Sequence, residues 1–227
     1  MKLNEVAELF SGVGVQTARQ TMKMFHAECE SDCLELDEMG SPKIQTLALL
    51  KAGEFEKAVE CIKRYGVALQ RSELDSAIAH FGRRLDESRE AADGRAITRN
   101  QRRIGALVRF RDSGLDPNSL VPLVDLDEGY RGKILMVAIS GGVIADLAVL
   151  RSDDLMHREI LKNTEKELLD LGLRSSLASP LGGARLQFEP DGSILIYGTS
   201  DEFGSCDKKL AADLVREQFP GRTLTVE

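Results

Sequence analysis

Lys133-Ile134-Leu135-Met136-Val137-Ala138-Ile139, closed by Ser140-Gly141-Gly142, is the stretch that divides this chain into two kinds of structure. A short apolar run with branched residues, bounded by turn formers, suits a buried strand. Residues 143–150 read as a second strand. Ser152 is expected to cap a helix reaching about Leu171, with His157 near its start and Leu161 and Leu168 on the same face. Residues 184–189 alternate, Pro190-Asp191-Gly192-Ser193 turn, and Ile194-Leu195-Ile196-Tyr197 return as a hairpin. A helix over about 208–218 and a strand at 223–226 follow. The pattern predicts a mixed β-sheet with two helices.

Upstream the period changes to helical. Asn4 is placed to cap a short helix ending near Gly12 and Gly14, and a longer helix runs to about Glu30. Ser41-Pro42 combines a hydroxyl acceptor with the proline favoured at a first helical position. Its helix carries Ile44, Leu47, Leu49 and Leu50 and stops at Gly53; the next carries Phe55, Ala58, Val59 and Ile62 and stops at Gly66. Ser72 and Asp75 resemble a capping box ahead of Leu74, Ile78, Phe81 and Leu85. After Asp93-Gly94 a last helix spans about 96–111. Short amphipathic helices with short turns pack as antiparallel hairpins, so this half is expected to be all-α. Residues 50–60 resemble the inter-helix turn of tetratricopeptide or pentatricopeptide repeats, but in a single copy, and a plain helical bundle is the preferred reading. The expected division is a helical module over 1–113, a linker over 114–120 and an α/β domain over 121–227.

Composition narrows the classes. The 227 residues are 42% apolar and 30% charged, as expected of a folded globular chain. No apolar run reaches the roughly 20 residues that cross a bilayer, and the acidic start Met1-Lys2-Leu3-Asn4-Glu5 does not resemble a signal peptide. A cytoplasmic location with no membrane association is expected. Cys29, Cys33, Cys61 and Cys206 form no CxxC pair, which suits a reducing compartment. The net charge of -7 makes nucleic acid an unfavoured partner. The acidity lies beyond residue 118, where 18 Asp and Glu face 12 Lys and Arg. An anion site there must be a local cationic pocket.

Four segments carry candidate chemistry. Lys133 opens the apolar strand, His157 opens a helix, Leu181-Gly182-Gly183-Ala184-Arg185 is read as a turn, and Ile196-Tyr197-Gly198-Thr199-Ser200 ends a strand. Together they offer one titratable base, two cations and a loop with free backbone amides. Phosphoryl transfer puts charge on equatorial oxygens that cations and preorganised N–H groups stabilise. The dipole at a helix N-terminus favours a neutral imidazole. Elsewhere, His26, Cys29 and Cys33 share helical spacing but lack a fourth metal ligand. His80 beside Phe81 reads as packing. Arg95, Arg99, Arg102, Arg103, Arg109 and Arg111 read as the solvated face of an amphipathic helix.

Residues 119–227 resemble the Janus family of protein-histidine phosphatases. The resemblance rests on five segments in the family's order. These are the Val121-Pro122-Leu123-Val124-Asp125-Leu126-Asp127 opening, the lysine-led strand, Leu155-Met156-His157-Arg158-Glu159-Ile160, the Leu181–Arg185 glycine segment and the 196–200 loop. It implies hydrolysis of phosphohistidine or related phosphoramidates with no metal and no cofactor. His157 would be general base or nucleophile, and Lys133 and Arg185 would bind phosphoryl oxygens. Gly198, Thr199, Ser200 and Asp201 would present N–H groups. It also implies a phosphorylated protein substrate; the helical module, which the resemblance does not cover, is expected to recruit a protein substrate or partner. The chain departs from the family at Ala184, where the family has glycine, and at Asp201 and Glu202, which put negative charge beside the phosphate. Arg151 is the nearest match to the family's basic residue upstream of the histidine. A phosphate-reading or scaffolding module without turnover, and a helical-repeat protein binding RNA or a protein, are the competing readings.

Overall fold

The structure, a computed structural model, describes residues 41–227. The helices expected near Asn4 and up to Glu30, and the His26, Cys29 and Cys33 trio, lie outside the described residues. The chain divides into two compact units between Leu107 and Val108. Among the described residues no helix is long and apolar enough to cross a membrane.

Helices come first, as the sequence predicts. α1 (Pro42–Ala52) and α2 (Phe55–Tyr65) form a hairpin across Gly53, and α3 (Arg71–Glu90) packs on α1. α4 (Gly94–Asp112) follows Asp93, whose carboxylate accepts the N–H groups of Arg95 and Ala96 at 3.1 Å. Gly53 and Gly66 end their helices in the left-handed region, where glycine pays no steric penalty. At Gly53 the space a Cβ would fill is taken by the Arg103 guanidinium, 2.3–2.6 Å away. Leu50, Phe55, Ala58, Ala77 and Phe81 form the buried centre of this unit.

Two caps differ from the sequence reading. Ser41 sits at the N-cap of α1, but its side chain accepts no capping hydrogen bond. α3 begins one residue before Ser72: Glu73 reaches back to the Gln70 N–H at 2.8 Å, so the reciprocal pair is Gln70–Glu73, and not Ser72–Asp75. The arginine face of α4 is also smaller than expected. Arg103 turns inward over the Phe81 ring (5.3 Å), Arg109 donates to the carbonyls of Ser119 and Leu120 at 3.0 and 2.9 Å, and Arg111 pairs with Asp112.

The second unit is built on one six-stranded mixed sheet. Its strands are β1 (Val124–Asp125), β2 (Arg131–Gly141), β3 (Ile144–Asp153), β4 (Leu177–Phe188), β5 (Ile194–Tyr197) and β6 (Leu224–Val226), in the spatial order β1-β3-β2-β4-β5-β6. The outer pairs β1–β3 and β5–β6 are parallel and the inner pairs antiparallel. Within the stretch expected to link the domains, Pro117–Leu120 form a 3-10 turn capped by Asp116, and Leu120 is buried. α5 (His157–Asp170) packs against β2, β3 and β4, while α6 (Lys208–Gln218) packs against β1, β5 and β6.

Alternation along the strands sorts the side chains between these helices. Ile134, Met136, Ala184, Leu186, Ile194 and Ile196 join Ala211, Ala212 and Val215 of α6 in one buried cluster. Leu135, Val137 and Ile139 point to the other face and are equally buried. Each such side chain contributes about 1.5–3 kcal/mol of burial. β2 is therefore apolar on both faces, which is why its sequence shows a continuous run and no alternation.

Strand β3 runs on to Asp153, so Ser152 is a strand residue whose hydroxyl donates to the Asp125 carbonyl. The helix begins at His157, and its N-cap is Met156, four residues beyond the expected cap. The glycine segment 181–185 is not a turn. It lies inside β4, and the ladder skips from Met136↔Gly182 to Val137↔Pro180, leaving Leu181 as the extra residue of a β-bulge.

Candidate functional site

Strand pairing brings the two expected cations together. Lys133 on β2 lies directly opposite Arg185 on β4, and Arg185 lies opposite Tyr197 on β5. Residues directly opposite in a sheet share a face, so these three form one row across three strands. The face is fixed by Gly183, two residues before Arg185. A Cβ built on Gly183 would lie 2.6 Å from His157 Nε2 and 2.9 Å from the Ser200 Cβ. The row therefore lies on the side of the sheet that carries His157 and Ser200.

His157 is the first residue of α5 and is only 8% exposed. Glu159 holds the helix start by accepting the Met156 N–H at 3.1 Å. The His157 Nε2 atom lies 3.3 Å from the Ala184 carbonyl oxygen. A carbonyl only accepts, so this contact assigns the proton to Nε2 and, in the neutral ring, the lone pair to Nδ1. Lys133 reaches the same helix start, its Nζ 3.3 Å from the Met156 thioether. Beneath it, the Tyr130 hydroxyl donates to the Lys133 carbonyl at 2.8 Å, and the ring lies over Gly132, where a Cβ would meet the phenol oxygen at 2.3 Å. Burial, and then the carboxylates of Asp154 and Asp153, push the Tyr130 phenol up to about 12. It stays protonated and keeps donating.

Among the described residues no carboxylate pairs with Lys133 or Arg185, and Arg185 is exposed. Asp153, opposite Lys133 on β3, spends its oxygens on the Leu155 N–H and the Asn163 amide, both at 3.3 Å. Arg151 behaves differently. It is 3% exposed, pairs with Glu167 of α5 at 3.0 Å and donates to the carbonyls of Pro122 and Leu150. Its family-like position upstream of His157 thus serves the core, not the open face.

The 198–201 segment differs in detail from its expected role. Ser200 and Gly204 close a five-residue loop by exchanging backbone hydrogen bonds at 3.2 and 3.0 Å, so the Ser200 N–H is already used. Its Oγ accepts the N–H groups of Glu202 and Phe203 at 3.3 and 3.2 Å, leaving the hydroxyl proton to donate. The loop is fastened to β4, since Gly183 N–H donates to Gly204 O at 3.0 Å and Cys206 N–H to Gly183 O at 3.3 Å. This seat needs Gly182, whose Cβ would fall 2.5 Å from the Ser205 carbonyl. Gly198 takes a left-handed φ of +73°, with open space where a Cβ would stand; it and Thr199 are exposed, as is Asp201.

Residues 118–223 match the model of the Janus/Ocnus family. The match covers the C-terminal region, just under half of the chain, and stops short of the helices upstream. None of the curated proteins matches the chain.

Of the expected residues, His157, Ser200, Lys133 and Arg185 are brought to one face, with Gly198, Thr199 and Asp201 on the loop that continues from β5. Gly183, Met156 and Tyr130 were not singled out from sequence. Gly183 seats the histidine and Ser200, Met156 meets the lysine, and Tyr130 holds the lysine's backbone. The doublet Gly182-Gly183 was read only as part of a turn, and strand pairing shows instead that it lies within β4.

Proposed function

We propose that the Janus-like region hydrolyses N–P bonds, with phosphohistidine on proteins or a related phosphoramidate as substrate. The observation that carries this reading is the convergence of His157 and Ser200 over Gly183, beside two cations without carboxylate partners on the same sheet face. Lys133 and Arg185 would take phosphoryl oxygens, one as a point charge and one as a fork. The Ser200 hydroxyl and the N–H groups of Gly198, Thr199 and Asp201 would face the remaining oxygens.

His157 Nδ1 then has two routes. As general base it takes a proton from water while the water oxygen bonds to phosphorus. The N–P bond breaks, its electron pair stays on the leaving nitrogen, and that nitrogen takes up a proton. As nucleophile it bonds to phosphorus while the substrate N–P bond breaks and the leaving nitrogen takes up a proton from solvent; water then attacks phosphorus, the Nδ1–P bond breaks, and phosphate is released. An N–P bond needs little driving force beyond charge stabilisation and positioning. The helical unit in this reading holds a protein partner, and the reaction runs without a metal.

Dephosphorylation of a phosphohistidine peptide in EDTA, by wild type and His157→Ala, tests the reading. Turnover that survives chelation and falls at least about 100-fold in the variant supports it. A covalent phosphate on His157, trapped by rapid acid-free quenching, selects the nucleophile route. A folded wild type without turnover leaves the competing reading, a phosphate-binding module, which the exposed carboxylates of Asp201 and Glu202 favour.

A further inference from the structure

Asp201 and Glu202 sit at the tip of the closed loop between Ser200 and Gly204, one and two residues from the serine packed against Gly183 and His157. Ser200 fixes that tip, because its Oγ holds the N–H groups of Glu202 and Phe203. Both carboxylates are in exposed residues, and among the described residues neither is engaged by a cation. The site therefore presents two zones side by side. One is cationic, formed by Lys133 and Arg185, and suits a phosphoryl group. The other is anionic, carried on the backbone of that closed loop, and repels a second phosphate or an acidic neighbour.

We propose that Asp201 and Glu202 select the sequence around the phosphoryl group, favouring substrates in which it is flanked by lysine or arginine. This rests on the phosphoramidate reading for the group bound, but the flanking preference is a property of binding and is measurable apart from turnover. The phosphoryl oxygens would meet Lys133 and Arg185 while a neighbouring ammonium or guanidinium meets the loop carboxylates. An acidic neighbour would meet like charge at the same place. Two exposed ion pairs, each worth up to about fivefold in affinity, give a preference on the order of tenfold. Added salt weakens it, because the pairs are open to solvent.

The test uses the full chain and two peptides carrying phosphoryltriazolylalanine, a stable phosphohistidine analogue, flanked either by Lys and Arg or by Glu. Their dissociation constants are measured by calorimetry for wild type, for D201N/E202Q, and for D213N/E217Q. The last pair removes the same charge from α6, which covers the opposite sheet face. The expected result is that wild type binds the basic peptide roughly tenfold more tightly. D201N/E202Q then brings the two peptides to near parity while D213N/E217Q leaves the ratio in place. Equal affinities in wild type overturn the proposal. So does an equal loss of preference in D213N/E217Q, which would assign it to the overall acidic field. Thermal unfolding of each variant confirms that the fold is intact. Hydrolysis of matching phosphohistidine peptides is followed in parallel: charge-selective binding without turnover retains the selection and removes the hydrolase reading, and no binding of either peptide removes both.

Discussion

At the scale of single residues, Gly183 is the position that ties the histidine to the sheet. It lies in a strand, where any residue fits the backbone, yet its missing side chain is filled by the His157 ring and the Ser200 Cβ. Gly183→Ala is therefore expected to push the imidazole off the Ala184 carbonyl. Overpacking of this kind costs about 1–3 kcal/mol. The measurement is a pair: a modest fall in unfolding temperature together with a loss of turnover much larger than that fall explains. An alanine variant with wild-type turnover would show that the ring position does not matter. His157, Lys133 and Arg185 came forward in the sequence through the family resemblance, since each alone reads as an ordinary core, strand-edge or surface residue, and the structure places them on one sheet face. Gly183 was visible only as half of a common doublet. Nothing in one sequence says that a histidine 26 positions earlier will occupy its side-chain space.

Among the elements, α5 depends on a pair of charges it cannot easily lose. Glu167 lies near its C-terminal end and Arg151 on β3, both nearly inaccessible, and Arg151 Nη2 has no hydrogen-bond partner. Glu167→Ala leaves a buried guanidinium uncompensated, which costs about 3–5 kcal/mol. Arg151→Met with Glu167→Leu removes both charges, and denaturant unfolding should recover most of that loss. If the single and double variants are equally destabilised, the pair is not what secures the helix to the sheet. The elements themselves were largely readable. β2 was a clear strand because both of its faces are buried, and Gly53 and Gly66 ended their helices where expected. The misplacements have two causes. Ser152, Ser72 and the 181–185 segment all carry local turn or cap chemistry, and in each case strand pairing or a different capping residue prevailed. Pairing joins residues far apart in the chain, so local signals cannot report it.

For the molecule as a whole, His80 makes stability depend on pH. It is 7% exposed and packed edge-on to Phe81, and burial lowers its pKa from 6.5 to about 4. Arg84 and Arg83 of its own helix, Lys51 of α1 and Arg103 of α4 push the same way. Above pH 6.5 the ring is neutral in both folded and unfolded chains, and the full stability is present. Between 6.5 and about 4 the unfolded chain takes up a proton that the folded chain refuses. Stability then falls by at most about 1.4 kcal/mol per pH unit. Denaturant unfolding across that range should show the slope, and His80→Gln should flatten it. The groups placed in the candidate site all belong to the second unit, Val108–Glu227, so the arrangement of these groups is portable. It would pass whole to any other protein that acquired this stretch of gene. The inheritable piece does not begin where the family match does. Arg109, which holds the carbonyls of Ser119 and Leu120, has to travel with it, so a recombination point at residue 118 would cut the cassette one fastening short.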